Sequence, residues 1–449
     1  MTSVKPNPKT DTLEVEIERI LPGGVGLAHA EGQTIFVSLA APGDVVQVKI
    51  ERTSGKVAFA SIVEVIKPSP VRVEPPCPYF GRCGGCDFQQ LVYEAQLEAK
   101  VEIIRDCLHR IARIEPLPNI AIHPSPREWR YRARANWQYD PQTSAVGYFE
   151  RGSHRVCDVV ECAVLVPELQ ATLEKLREEV TSAADDWIAT DVGAAAGDTG
   201  VSVSPGFCGF STREVSRQIG GETYYFNANA FFQTNHDLLE ALIETAIGDA
   251  RGGIAVDLYC GAGLFTIPLA RRFEKVIGVE SSRTSAEFAR RNLQNAQLHN
   301  ASVVAAKVAE WLQAYSYSLS GAAAPADTSE VIDSRSPERS DSQVSSESPV
   351  SGADTEFRPY SPDSKVSSDS RLGVDFLLLD PPRTGAETAV IEGILALKPK
   401  QISYVSCDPA TLARDLKKLS AGGYSLDSVA AFDMFPQTHH VETVVHLRK

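Results

Sequence analysis

No stretch of the chain reaches about 18 consecutive apolar residues, the length needed to cross a bilayer as a helix. The opening Met-Thr-Ser-Val-Lys-Pro-Asn-Pro also lacks the apolar block of a secretory leader. A cytoplasmic protein with no membrane association is therefore expected. Basic residues are scarce: 44 Lys and Arg against 58 Asp and Glu give a formal net charge of −14, which by itself disfavours a polyanionic partner. Residues 316–371 hold ten acids and five bases, so −5 of that total sits in one segment. The remaining −9 is still acidic, and any RNA must meet a local basic face. Nine cysteines in a chain expected to stay in a reducing compartment point to ligation or catalysis rather than to disulfides.

At 449 residues the chain exceeds a single core, and three domains are expected, at 1–68, 69–225 and 226–449. Residues 11–67 alternate apolar and polar positions in short bursts, such as Leu13-Glu-Val-Glu-Ile-Glu and Val45-Val-Gln-Val-Lys-Ile, with turn signals at Pro22-Gly-Gly24 and Pro42-Gly43. This spacing predicts a small barrel of about five strands. Helical periodicity follows over 91–111, and then the most basic stretch, Arg127-Glu-Trp-Arg130-Tyr-Arg132-Ala-Arg134. Guanidinium groups interleaved with Trp129 and Tyr131 suit the phosphates and splayed bases of single-stranded RNA, and Arg151, His154 and Arg155 would extend that surface. The same alternation also fits a strand with one solvated face.

From Gln233 onward strands alternate with helices, which predicts an α/β fold with a doubly wound parallel sheet. Ile254-Ala-Val-Asp257 leads into Gly261-Ala-Gly263, and Val276-Ile-Gly-Val-Glu280 is a second strand ending in an acid. That carboxylate is placed to hold the ribose hydroxyls of a nucleoside cofactor, and glycines 261 and 263 let the backbone approach it. The arrangement serves NAD and S-adenosylmethionine alike. Residues 316–371, with seventeen serines and almost no apolar periodicity, are expected to be a disordered surface insertion.

Two groups of cysteines carry chemistry. Cys77, Cys83 and Cys86 lie on one glycine-rich loop with C-x5-C-x2-C spacing. Soft thiolates so placed suit zinc or an iron–sulfur centre, and a fourth ligand is needed, for which Cys157 and Cys162 are both available. Cys407 closes the apolar run Ser403-Tyr-Val-Ser, where a strand gives way to a loop. A cysteine there is either a packed core residue or a nucleophile.

The segments Asp257-Leu-Tyr-Cys-Gly-Ala-Gly-Leu-Phe265, Leu377-Leu-Leu-Asp-Pro-Pro-Arg-Thr-Gly385, Ser403-Tyr-Val-Ser-Cys-Asp-Pro-Ala-Thr-Leu412 and Phe435-Pro-Gln-Thr-His-His-Val-Glu442 together resemble the uracil-5 RNA methyltransferase family. Within it, the chain is similar to the iron–sulfur, TRAM-bearing branch that modifies 23S ribosomal RNA, over nearly its whole length apart from the insertion. The resemblance implies a Rossmann-like class I methyltransferase domain, an N-terminal OB-like TRAM barrel that binds RNA, and a central iron–sulfur-bearing α+β domain. It further implies a [4Fe–4S] cluster of architectural role on Cys77, Cys83, Cys86 and Cys162, with a four-cysteine zinc site as the alternative.

By the same resemblance, S-adenosylmethionine is held by Gln233, Tyr259, Gly261, Gly263, Leu264, Glu280 and Asp380. Two departures stand out: Leu264 replaces the asparagine of many members, and Val308 offers no carboxylate where the adenine is often met. Carbon 5 of uracil is a poor nucleophile, so the implied chemistry is addition of Cys407 to C6, methylation of the resulting enolate, and removal of the C5 proton by Glu442. The expected substrate is 23S rRNA, with tRNA as the alternative, and the expected assembly is a monomer. Two rival readings are an exocyclic-amino methyltransferase and a non-catalytic iron–sulfur RNA-binding protein. The first fits poorly, because Arg383 follows the prolines where an aromatic would stack on the base.

Overall fold

The computed structural model describes residues 12–182, 189–320 and 373–449. The N-terminal unit is a six-stranded sheet of β1 (Thr12–Glu16), β2 (Arg19–Leu21), β3 (Val25–Ala30), β4 (Gln33–Val37), β5 (Val45–Ser54) and β6 (Val57–Lys67), in the order β1-β5-β6-β4-β3-β2. Alternate residues point inward, so Val15, Ile35, Val37, Val46, Val48 and Ala58 form one closed core. Register shifts along the β5–β6 pair bend these long strands around it. Six strands form where about five were expected, the short β2 being the addition.

Helix α1 (Tyr93–Cys107) follows, and its last turn widens into a π turn over Leu108–Ala112. Beyond it come β7 (Ile120–His123), β8 (Arg134–Asp140), β9 (Ala145–Phe149), β10 (Val156–Asp158), α2 (Pro167–Ser182), β11 (Asp191–Gly197) and β12 (Gly200–Ser204). Strands β8 to β12 make an antiparallel sheet in the order β10-β9-β8-β11-β12, with α2 on one face against Trp137, Val192 and Val203. The hairpin β13 (Val215–Ile219) and β14 (Glu222–Phe226) links it to the last unit.

That unit comprises α3 (Leu239–Ile247), β15 (Gly252–Leu258), α4 (Thr266–Ala270), β16 (Phe273–Glu280), α5 (Arg283–Asn295), β17 (Ala301–Ala305), α6 (Val308–Ser320), β18 (Phe376–Leu379), α7 (Thr388–Leu397), β19 (Gln401–Ser406), α8 (Pro409–Ala421), β20 (Ser425–Phe432) and β21 (Glu442–Arg448). The sheet order is β17-β16-β15-β18-β19-β21-β20-β7. Strands β15 to β19 pair in parallel, β21 runs antiparallel between β19 and β20, and β7 reaches back from the preceding segment to pair with β20. The expected doubly wound sheet is therefore present, with an antiparallel strand inserted and an edge strand donated from residues 120–123.

Both faces are covered, which is why β18 reads as an unbroken Phe-Leu-Leu-Leu run. Leu377 and Leu379 pack on one face with Val256, Ile402 and Tyr404, and Phe376 and Leu378 on the other with Val276, Val405 and Val444. The insertion expected at 316–371 lies outside the described residues from 321 on, while α6 continues through 316–320. Among the described residues no helix is long and apolar enough to cross a membrane.

Candidate active site

In a doubly wound sheet a ligand binds at the strand C-termini where the strand order reverses, here between β15 and β18. A pocket lies there, lined by Phe231, Gln233, Tyr259, Gly261, Leu264 and Asp380 among others. The turn after β15 requires three unusual backbones at alternate positions: Tyr259, Gly261 and Gly263 have φ of 62°, 54° and 92°. Glycine adopts these freely, whereas a non-glycine residue such as Tyr259 is held there only by its surroundings. Glu280, closing β16, accepts the Gly261 N–H at 3.0 Å and the Ser282 N–H at 2.7 Å, so its carboxylate fixes the turn.

Gln233 donates to Asp380 Oδ2 at 3.3 Å across the mouth of the pocket. Asp257, at the end of β15, is fully buried, and burial raises its carboxyl to about 7 although Thr266 Oγ1 donates to it at 2.5 Å. Its Oδ1 has no hydrogen-bond partner among the described residues. Leu264 lines the pocket with an apolar side chain, and its carbonyl accepts the Tyr224 hydroxyl at 3.2 Å. Val308 packs into the core beside Trp311 and Leu312. The positive-φ turn and the glutamate that fixes it suit a nucleoside-type cofactor.

Cys407 stands directly after β19, and Asp408 caps α8 by accepting from Ala410 N at 3.0 Å and Thr411 N at 2.8 Å, with Pro409 in the first turn. The strand end and the capped helix start together hold the thiol in place. Burial, with Glu442 and Asp380 nearby, pushes the thiol up to about 12, while Arg383 acts the other way. Glu442 opens β21, is 2% exposed, and has one carboxyl oxygen without a hydrogen-bond partner among the described residues. Burial first, and then Asp380, raises its carboxyl well above the usual range, and burial lifts Asp380 to about 7. Two neighbouring acids, Glu442 buried and Asp380 half-buried, resist double ionisation. Arg383 also meets His440, whose Nε2 lies 3.4 Å from Nη1; burial lowers His440 to about 3, so its ring is neutral and accepts this contact. The expected nucleophile, base, Asp380 and Arg383 are thus brought together beside the pocket.

The cysteine loop is separate. Cys77, Cys83, Cys86 and Cys162 line one cavity with Arg132 and Tyr148, whereas Cys157 is buried in β10 outside it and accepts Arg82 Nε at 3.2 Å. The loop is pinned to the β9–β10 turn through Gly84 N to Phe149 O at 2.9 Å and Arg151 N to Arg82 O at 2.8 Å. Burial raises the Cys83 thiol to about 11 and the Cys86 thiol to about 12. Among the described residues no group of three or more His, Cys, Asp or Glu side chains is arranged to hold a single metal ion.

The basic stretch at 127–134 does not form the surface expected of it. Tyr131 is 1% exposed and its hydroxyl donates to Pro436 O at 2.9 Å, so it cannot stack on a base. Arg132 lines the cysteine cavity and Arg134 donates to Ala228 O at 3.0 Å, which leaves Arg127 and Arg130 at the surface. Arg127 is itself paired with Asp237. The solvated-strand reading fails too, because β8 starts only at Arg134. Sequence reasoning also passed over the segment 433–441 as an anchored structure, for which the adjacent buried Lys100 and Asp433 offered no local signal.

Comparison with known proteins supplies the family. The model of the tRNA (uracil-5-)-methyltransferase family matches residues 213–319 and 346–449, and that of the TRAM domain matches 9–63. The chain is 30% identical over 473 residues to the 23S rRNA (uracil(1939)-C(5))-methyltransferase RlmD of Pseudomonas putida, covering 96% of this chain and 92% of the relative. The chain belongs to the RNA uracil-5-methyltransferase family. An uncharacterized RNA methyltransferase of Thermosynechococcus vestitus is 29% identical over 493 residues, covering 97% and 98% of the two chains. Among solved structures, the tRNA (uracil-54, C5)-methyltransferase of Pyrococcus abyssi superposes with a TM-score of 0.66 at 23% identity, over 97% of this chain and all of that one, which shows a shared fold. The family's reaction is methyl transfer from S-adenosylmethionine to C5 of uracil in RNA, and the N-terminal sheet is its TRAM domain.

Proposed function

We propose that this enzyme methylates one uridine of 23S rRNA through a covalent adduct on Cys407. The observation that carries the proposal is the grouping of Cys407, Glu442, Asp380 and Arg383 beside the pocket at the strand C-termini. S-adenosylmethionine, held by Gln233, Tyr259, Gly261, Gly263, Leu264, Glu280 and Asp380, supplies an electrophilic methyl on a positively charged sulfur. That charge and Arg383 oppose the burial that keeps the Cys407 thiol protonated.

The Cys407 thiol gives its proton to solvent, the thiolate adds to C6, and the electron pair of the C5–C6 bond moves toward C4–O, giving an enolate. Its C5 takes the methyl, while the broken carbon–sulfur bond leaves its electrons on the donor's sulfur, which departs as a neutral thioether. Glu442 then removes the C5 proton, the C5–C6 double bond re-forms, and the thiolate leaves. The target uridine must leave its stack to reach this site, which takes a few kcal/mol. Burial of Glu442 raises its basicity, which favours its taking a carbon-bound proton.

The residues around the second cavity fit an iron–sulfur centre. Each cysteine of a cubane binds a different iron, so four thiols spread around one cavity suit it better than the single point from which a zinc ion needs four sulfurs at about 2.3 Å. Cys77, Cys83, Cys86 and Cys162 would hold it, with the Arg132 guanidinium beside a negatively charged centre. Its role is architectural, because methyl transfer to carbon moves no electron to a carrier.

Ribosomal RNA is favoured by the relatives named for 23S rRNA at 30% identity over nearly the whole chain. Mass-spectrometric mapping of RNA from a deletion strain tests the target; loss of 5-methyluridine from tRNA alone would move the assignment there. Cys407→Ala and Glu442→Gln test the chemistry. Glu442→Gln should accumulate a protein–RNA adduct that survives a denaturing gel, and Cys407→Ala should abolish it. Normal turnover by Cys407→Ala would overturn the covalent mechanism.

A further inference from the structure

Glu442 is the first residue of β21, and the segment before it, 433–441, has little regular structure of its own. Its backbone is held by residues more than 300 positions away. Asp87 N and Phe88 N both donate to Gln437 O, at 3.1 and 3.0 Å. Gln96 and Gln437 exchange two bonds, side chain to side chain at 3.0 Å and backbone N–H to Gln96 Oε1 at 2.9 Å. These contacts hold Gln437 at a φ of 69°, a left-handed conformation that a non-glycine residue keeps only under constraint. Lys100 reaches Asp433 and Phe435 O, and Tyr131 reaches Pro436 O.

All of these act on the first half of the segment. Nearer Glu442, Asp87 grips His439, the residue before the His440 ring that Arg383 meets. Its Oδ1 accepts the His439 backbone N–H at 2.8 Å and its Oδ2 lies 2.5 Å from the ring Nδ1. The TRAM domain also packs against His439: a Cβ on Gly24 would stand 2.8 Å from the His439 Cβ. Asp87 is also the residue directly after Cys86. The cysteine loop, the TRAM barrel and the strand that presents Glu442 therefore meet at one side chain.

We propose that Asp87 is a positioning residue for the catalytic base, fixing the Glu442 carboxyl over C5 by its two-point hold on His439. The proposal rests on the reading of Glu442 as the base. A two-point contact fixes both the position and the rotation of the residue it grips, and proton abstraction from carbon depends on hydrogen-bond-range placement of the base. Methyl transfer depends on Cys407 and the cofactor pocket, which Asp87 does not touch. Loss of Asp87 should accordingly slow elimination and spare the steps before it.

The experiment compares wild type, Asp87→Ala, Asp87→Asn, His439→Ala and Glu442→Gln. The probes are methyl-labelled S-adenosylmethionine and total RNA from a deletion strain, which contains the target whichever RNA carries it. Asp87→Ala should methylate at the wild-type rate in the first turnover, then hold the label in a protein-linked band, with steady-state turnover down tenfold or more. Asp87→Asn, which keeps an acceptor for the His439 N–H, should fall less. His439→Ala keeps the backbone contact and decides the matter if Asp87→Ala does not fold; it should show a milder stall. Equal slowing of methyl transfer and release, or no stall in any Asp87 or His439 variant while Glu442→Gln stalls, overturns the proposal and leaves Glu442 as the base. If Glu442→Gln releases product without an adduct while His439→Ala accumulates one, the base is His439, and both the reading of Glu442 and this proposal fall.

Discussion

Lys100 and Asp433 are each fully buried and form an ion pair, and replacing Lys100 by Met is the most informative perturbation of the scaffold beneath the base. Burial alone pulls the Lys100 ammonium down, and Asp433 opposes that pull. With Lys100 gone, Asp433 loses its donor on Oδ1, and its Oδ2 has no hydrogen-bond partner among the described residues. An uncompensated buried carboxylate of this kind costs about 3–5 kcal/mol. The second bond of Lys100, to Phe435 O, adds little, because that carbonyl still accepts from Thr438 Oγ1 at 2.8 Å. Against a typical total of about 5–15 kcal/mol, this is a large fraction of the stability. Urea denaturation followed by circular dichroism measures it directly. Since a buried pair exchanged for apolar groups is often neutral or better, Lys100→Met with Asp433→Leu should recover most of the loss. A single variant within about 1 kcal/mol of wild type, the size of an exposed pair, would refute the reasoning. So would a double variant no more stable than the single.

Alkylation of Cys407 by iodoacetamide, read by peptide mass spectrometry without cofactor, should be slow at pH 7 and rise with pH through pH 9, because the thiol sits at about 12 and only the thiolate reacts. Asp380, at about 7, gains its charge in the same range and opposes thiolate formation, so Asp380→Asn should react faster above pH 7. Protein purified without air should contain about four irons per chain, and Cys162→Ser should lose them, whereas zinc without iron would exclude the cluster. Replacing 321–372 by a short Gly-Ser linker should leave methylation intact, since a segment so poor in apolar residues has little to bury. Loss of activity with folding preserved would assign it a role in RNA binding.

What was legible in the sequence was legible because backbone and chemistry demand it locally. A turn that approaches a cofactor needs positive φ, and Gly261 and Gly263 announce it. A central parallel strand buried on both faces needs the run Phe376–Leu379, and a helix beginning after Cys407 needs the Asp408 cap and Pro409. These requirements are met within a few residues, so residue spacing carries them. Alternation misled at 127–134, where Arg132 and Arg134, two of four arginines that looked like an RNA-facing row, turn inward, because their surroundings, the cysteine cavity and Ala228, are distant in the chain. Only the tertiary structure decided that 120–123 would close the edge of the methyltransferase sheet. It alone decided that Asp87, Gln96 and Lys100 would hold the approach to Glu442. Those contacts join side chains more than 300 residues apart and form only when the chain folds them together, a condition that no local pattern encodes.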